Sequence, residues 1–127
     1  MPAGPVVLDA SALIAFLRGE CGGEQVEPLL PEAVISAVNW SEIVQALAEF
    51  DVSHEQVRAA LPMVEVAAFS EPQAAVTAGL RERTRSFGLS FADRACLSLA
   101  MLRDGVVYTA DRAWADLDLG VEIRLIR

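Results

Sequence analysis

The chain begins its pattern with Val6-Val7-Leu8, three apolar residues of which two are β-branched, closed by the acid Asp9. Such a run reads as a short buried strand. Apolar positions then recur at Ala10, Leu13, Ile14 and Leu17, the i, i+3, i+4, i+7 stripe of a helix lying on a core. An acid therefore stands at the carboxyl end of a first strand, directly before a helix, which is where α/β folds bind ligands.

The same two periods alternate along the rest of the chain. Residues 18–27 are rich in Gly and Glu with no core stripe and read as an exposed connection; a short helical piece over 24–30 is stopped by Pro31. Ala33-Val34-Ile35 is the second strand. Ser36 caps a helix carrying Ile43, Val44, Leu47 and Phe50 on its apolar side, with Glu42 beside that stripe in the second turn. Ser53-His54-Glu55-Gln56 is a capping box for a helix that ends before Pro62, and Val64-Glu65-Val66-Ala67 alternates as a third strand. Ser70-Glu71-Pro72-Gln73 is a second capping box, opening a helix that runs to about Thr84 and ends among Arg81, Arg83 and Arg85.

After Gly88, Ser90-Phe91-Ala92-Asp93 opens a helix striped by Ala92, Ala95, Cys96, Leu99 and Ala100. Asp104-Gly105 is a turn, Val106-Val107-Tyr108-Thr109 a fourth strand stopping just before Asp111, and a short helix at 112–117 leads to a fifth strand at 122–126. Strands alternating with helices at these spacings predict an α/β fold: a central parallel sheet with helices on both faces and right-handed crossovers. The 127 residues suit a single domain, spanning residues 1–127, with no repeat or linker in view.

Composition then removes several kinds of chemistry. With 54% hydrophobic and 22% charged residues the chain has the makings of a core, and no apolar run reaches the roughly 18 residues that span a bilayer. The amino terminus lacks the basic region of a signal peptide, so a cytoplasmic location is expected. Cys21 and Cys96 are too few and too distant for a zinc site or disulfide framework, and Cys96 sits on an apolar helical face as core. The single histidine, His54, lies in a polar run whose Ser53 is taken up as a helix cap, and it does not suggest a triad. A net charge of −8 argues against a broad basic surface for nucleic acid, although cations held by some of the acids reverse the local field. All ten basic residues are arginine, whose planar fork suits phosphate or carboxylate.

Four acids are placed to share one crevice. Asp9 and Asp111 follow the first and fourth strands; if these are neighbours where strand order reverses, both reach the top of the same crevice. Glu42 and Asp93 lie in the first or second turns of helices starting at that edge. Carboxylates that converge raise one another's pKa, and hard divalent ions such as Mg2+ or Mn2+ are their natural partners. Such a cluster is equipment for hydrolysing a phosphodiester without histidine. Each acid alone has a plainer reading: Asp9, Asp93 and Asp111 as helix caps, Glu42 as an exposed helix acid. Four independent caps on one sheet edge is the less economical account.

At this point the chain resembles the PIN-domain ribonucleases, specifically the VapC-type toxins. The resemblance rests on Val-Val-Leu-Asp9-Ala-Ser-Ala-Leu, Ile-Ser-Ala-Val-Asn39-Trp-Ser-Glu42-Ile-Val, Gly-Leu-Ser90-Phe-Ala-Asp93-Arg-Ala-Cys-Leu-Ser-Leu-Ala and Val-Tyr-Thr109-Ala-Asp111-Arg-Ala-Trp, in this order along nearly the whole chain. It implies a three-layer PIN-like fold of about five strands in order 3-2-1-4-5, and Mg2+- or Mn2+-dependent endonuclease action on RNA. Asp9, Glu42, Asp93 and Asp111 match the family's catalytic, metal-binding acids, and Asp116 falls where some members carry a further one. Ser11, Asn39 and Thr109 match polar positions that orient carboxylates or water. The resemblance also implies a homodimer and a cognate VapB-type antitoxin that threads a segment into the site and offers an arginine to the acids. Arg81, Arg85, Arg94 and Arg112 are the candidates for contact with RNA or partner.

Three other readings stay open. A nuclease outside any toxin–antitoxin pair, acting in RNA processing or on structured DNA, would carry the same acids. A haloacid-dehalogenase-like hydrolase needs an acid two residues after Asp9, where this chain has Ser11, and a phosphotransfer receiver needs a late lysine that it lacks. A non-enzymatic interaction module predicts neither metal binding nor divalent-dependent cleavage.

Overall fold

The computed structural model describes residues 4–127; residues 1–3 of the expected domain span lie outside the described residues. Five strands, β1 (Val6–Leu8), β2 (Ala33–Ser36), β3 (Glu65–Ala67), β4 (Val106–Thr109) and β5 (Glu122–Leu125), form one sheet in the order β3-β2-β1-β4-β5. Every neighbouring pair is parallel, with Val6 opposite both Ala33 and Val106, and Leu8 opposite Tyr108. The expected architecture and strand order are therefore present. β1 sits at the centre, and strand order reverses between β1 and β4.

Alternation along the strands divides the core in two. Val6 and Leu8 point to one face with Val106 and Tyr108, under α1 (Ala10–Arg18), α3 (Ala37–Ala48) and α4 (His54–Ala60). Val7, Val34 and Val107 point to the other, under α5 (Glu71–Arg83) and α6 (Phe91–Arg103). A period of two on a strand buried on both faces makes these layers obligatory. Among the described residues, no helix is long and apolar enough to cross a membrane.

Three local expectations are corrected. The stretch over 18–27 is not wholly exposed, since Gly22 and Gly23 are buried, while the helical piece expected over 24–30 is present as α2 (Gly23–Val26) and the turn that follows it. A Cβ on Gly23 would collide with the backbone of Ala15, so only glycine lets α2 lie against α1. Pro31 does not stop the next helical piece, a 3-10 turn at Glu27–Glu32 that contains it. Phe50 lies beyond the end of α3 and is exposed, stacked under the Arg18 guanidinium at 4.2 Å from the ring centre, because the helix ends before it can reach the core.

The capping boxes also divide. Ser53 with Gln56, and Ser90 with Asp93, form reciprocal boxes. Ser70 caps α5 through the Gln73 N–H, but the Gln73 side chain turns into the core instead of back to Ser70. Cys96 is fully buried and Cys21 exposed, both free. His54 accepts a hydrogen bond from the Trp40 indole at 3.2 Å and takes part in helix packing.

Candidate active site

Asp9 occupies the cap position of α1 in extended conformation, yet its carboxylate makes no capping hydrogen bond. It is 5% exposed and faces β4. Parallel pairing of Leu8 with Tyr108 brings Thr109 beside it, and the Asp9 N–H continues the ladder to the Tyr108 carbonyl at 3.0 Å. Two hydroxyls donate to the same carboxylate oxygen: Ser11 to Asp9 Oδ2 at 2.6 Å and Thr109 to Asp9 Oδ2 at 2.9 Å. Each hydroxyl is itself held by a backbone donor, Ser11 Oγ by the Ala110 N–H and Thr109 Oγ1 by the Asp111 N–H. With those acceptor positions filled, both hydroxyl protons turn toward Asp9. The same two bonds fix the path of the chain that carries Asp111.

The other acids reach this point from separate elements. Glu42 projects from the second turn of α3, and Asn39 Nδ2, one turn earlier, donates to its Oε1 at 3.0 Å and to the Ala92 carbonyl at 3.0 Å. Asn39 thereby ties α3 to the start of α6. Asp93 caps α6 by accepting the Ser90 N–H through Oδ2 at 2.9 Å. Asp111 Oδ1 accepts the Ala113 N–H at 3.0 Å and caps the 3-10 turn Arg112–Asp116. The plain capping role is thus real for Asp93 and Asp111, and absent for Asp9.

All four acids line one cleft of about 480 Å³, together with Ser11, Ala10 and Ile14 of α1 and with Gln45, Ala46 and Glu49 of the α3 side. In each acid a single oxygen carries the hydrogen bonds given above, and the second takes none from any described residue. Burial, with added repulsion from Asp93 and Glu42, pushes the Asp9 carboxyl up to about 6, against the pull of its two hydroxyl donors. A buried anion this poorly compensated is a place for a cation.

No three His, Cys, Asp or Glu side chains among the described residues are drawn together closely enough to hold a metal ion as they stand. Each carboxylate is anchored by its own hydrogen bonds. The donor set nevertheless fits a hard divalent ion in chemical type, since each acid has an oxygen to offer and Asp9 lacks a countercharge.

Asp116, the other acid singled out, does not line the cleft. Arg81, Arg85 and Arg94 gather around a different groove, whereas Arg112 donates to the Arg127 carbonyl at 2.9 Å. Gln45 and Glu49 were missed by reading only the apolar stripe of α3. Their spacing from Glu42, i+3 and i+7, puts all three on one helical face, a signal already present in the sequence.

A PIN domain family model matches residues 6–119 of the chain. No curated protein matches it in sequence. Among solved structures, it is similar to a toxin–antitoxin complex from Klebsiella pneumoniae (TM-score 0.78, 21% identity, covering 96% of this chain and 98% of that one). It is also similar to a DNA-bound VapBC from Salmonella typhimurium (0.75, 19%, 97% and 98%). A third is VapBC-5 from Mycobacterium tuberculosis, a member of the VapBC family of toxin–antitoxin systems (0.63, 25%, 98% and 98%). With the family model matched from β1 to beyond β4, and a parallel sheet ordered 3-2-1-4-5 beneath the acids, the chain belongs to the PIN domain family of nucleases.

Proposed function

We propose that this protein is a VapC-type toxin: a single-domain endoribonuclease that hydrolyses RNA phosphodiester bonds and is neutralised by a cognate VapB-type antitoxin. The observation that carries the reading is Asp9, a buried carboxylate pushed up to about 6 and facing a cleft shared with Glu42, Asp93 and Asp111. PIN nucleases in general use divalent metals, and these four acids would hold Mg2+ or Mn2+. Such an ion, when bound, supplies charge stabilisation at the phosphoryl group and makes water a competent nucleophile at neutral pH.

The chain's own residues orient that chemistry. Ser11 and Thr109 hold Asp9 in one rotamer and leave its second oxygen for the cleft. Asn39 does the same for Glu42, and the backbone N–H groups of Ser90 and Ala113 do so for Asp93 and Asp111. Fixed carboxylates lose little freedom when a cation arrives, which favours both affinity and alignment.

The antitoxin follows from the same charge. An acidic cleft with an apolar floor at Ala10, Ile14 and Ala46 complements a basic, partly apolar segment, and similar structures are described as toxin–antitoxin complexes. The resemblance to VapC-type toxins implies that the protein acts as a homodimer in the cytoplasm.

The test is cleavage of RNA with Mg2+ or Mn2+ by the purified protein. Asp9→Asn and Asp93→Asn should keep the fold and reduce cleavage to background. Cleavage that persists in both variants, or in excess chelator, contradicts the reading. Co-purification with the product of an adjacent small open reading frame that suppresses cleavage separates a toxin from a PIN nuclease acting alone.

A further inference from the structure

The first turns of α6 have two lined faces. Asp93 belongs to the acid cleft, whereas Phe91 and Arg94 line a second groove, completed by Arg81 at the end of α5 and Arg85 in the 3-10 turn that follows it. No acid lines this groove. Three of the ten arginines thus meet at one place in a chain whose net charge is −8.

Their partners leave most of that charge available. Arg81 forms no ion pair among the described residues, and Arg85 has only an exposed pair with Glu82, a kind of contact that is weak in water. Arg94 is anchored by Nη1, which donates to the Thr77 carbonyl at 2.9 Å, while its Nε is buried without a partner. Its guanidinium lies 5.9 Å from the centre of the Phe91 ring. Phe91 is half exposed and rests edge-on against Phe69, with ring centres 5.6 Å apart.

Helix-end electrostatics explain part of this only. Arg81 and Arg83 complement the carboxyl end of α5, but Arg83 does not line the groove. Arg94 stands near the amino end of α6, where the dipole disfavours a cation, and an exposed aromatic beside it gains nothing from the dipole. Arginines with an aromatic platform, and no acid among them, are instead the equipment for single-stranded nucleic acid.

We infer that this groove binds the single-stranded RNA substrate beside the scissile bond: Arg81, Arg85 and Arg94 contact backbone phosphates, and Phe91 stacks on a base. Phosphate contacts set position and not sequence, so the groove holds the strand while the acid cleft acts on it. Phe91 and Asp93 share one helical turn, which lets one strand engage both faces of α6. The inference rests on the ribonuclease reading for the identity of the strand, but its binding half can be measured without cleavage.

The experiment is fluorescence anisotropy of a short labelled single-stranded RNA, titrated with the full chain in chelator over a range of salt, alongside cleavage kinetics with Mn2+. The variants are Arg81→Gln/Arg85→Gln, both on exposed positions, and Phe91→Ala. Losing two phosphate contacts should weaken binding about tenfold at moderate salt and flatten the log–log salt dependence by roughly 1.4. Phe91→Ala should weaken binding by roughly 5- to 100-fold with the salt slope unchanged. In cleavage, the loss should fall on KM more than on kcat. RNA affinity and salt slope equal to wild type in the double variant overturn the inference, and make an acidic protein segment the better occupant. Arginine-dependent RNA binding without cleavage by the wild type supports the groove and removes the ribonuclease reading; cleavage with KM indifferent to the arginines does the reverse.

Discussion

Between α5 and α6 the protein buries Gln73, Thr77 and Ser98; at the end of β1 it buries Asp9 beside Thr109. The helix seam is satisfied from within the fold. Gln73 Nε2 donates to the Ala95 carbonyl at 3.0 Å, the Thr77 and Ser98 hydroxyls lie 2.7 Å apart, and Thr77 also reaches the Gln73 carbonyl. The seam's side chains are neutral, and their buried polar atoms are paired. The Asp9 site is charged, has acids for neighbours, and opens to a cleft. Both places bury polarity, but only the second leaves charge uncompensated. A satisfied network specifies packing, whereas an uncompensated one calls for a ligand.

The sharpest way to separate the two is pH. The folded Asp9 carboxyl titrates at about 6, above its unfolded value near 4. Between these the folded state keeps a proton that the unfolded chain has released, so stability falls as pH rises through that window and stays low above it. Asp9→Asn removes this effect. In chelator, its stability relative to wild type should improve by on the order of 3 kcal/mol between pH 4 and pH 7.5, measured by urea unfolding. A difference that does not vary with pH would place Asp9 with the satisfied seam.

Gln73→Ala breaks the other member of the comparison. It removes one of the two side-chain donors to the Ala95 carbonyl, the Ser98 hydroxyl being the other, and leaves a void between α5 and α6; it should cost about 2–3 kcal/mol in urea unfolding, at all pH values, with unchanged cleavage per folded molecule. A smaller effect is expected from Ser11→Ala, which removes one of two donors to Asp9. Divalent-ion affinity should fall roughly 10- to 100-fold by calorimetry, while Asp116→Asn, outside the cleft, leaves affinity within about twofold.

Much of this arrangement was legible in the sequence, for physical reasons that differ by element. β1, β4 and α6 are read from period alone because both faces of the sheet are covered and every apolar position has one place to go. Asp9 and Asp111 follow from the ends of those strands. What period does not carry is side-chain choice between two hydrogen-bonding routes. Gln73 has the spacing of a capping box, but its side chain enters the core and donates through Nε2 to the Ala95 carbonyl instead of accepting the Ser70 N–H. Gly22 and Gly23 looked like loop residues because the sequence does not show that α2 packs where a Cβ has no room. Glu49 was overlooked since it lies just past α3, on the face of Glu42 and not on the apolar stripe.

Thermal unfolding at pH 7.5 with increasing Mg2+ or Mn2+ tests most directly whether the charge at Asp9 awaits a cation. An ion bound by the folded state alone raises Tm with its concentration. The wild type should show that rise, and Asp9→Asn should show little or none. A wild-type Tm indifferent to millimolar Mn2+, or an equal rise in both proteins, would contradict the assignment of this cleft as a metal-dependent nuclease site.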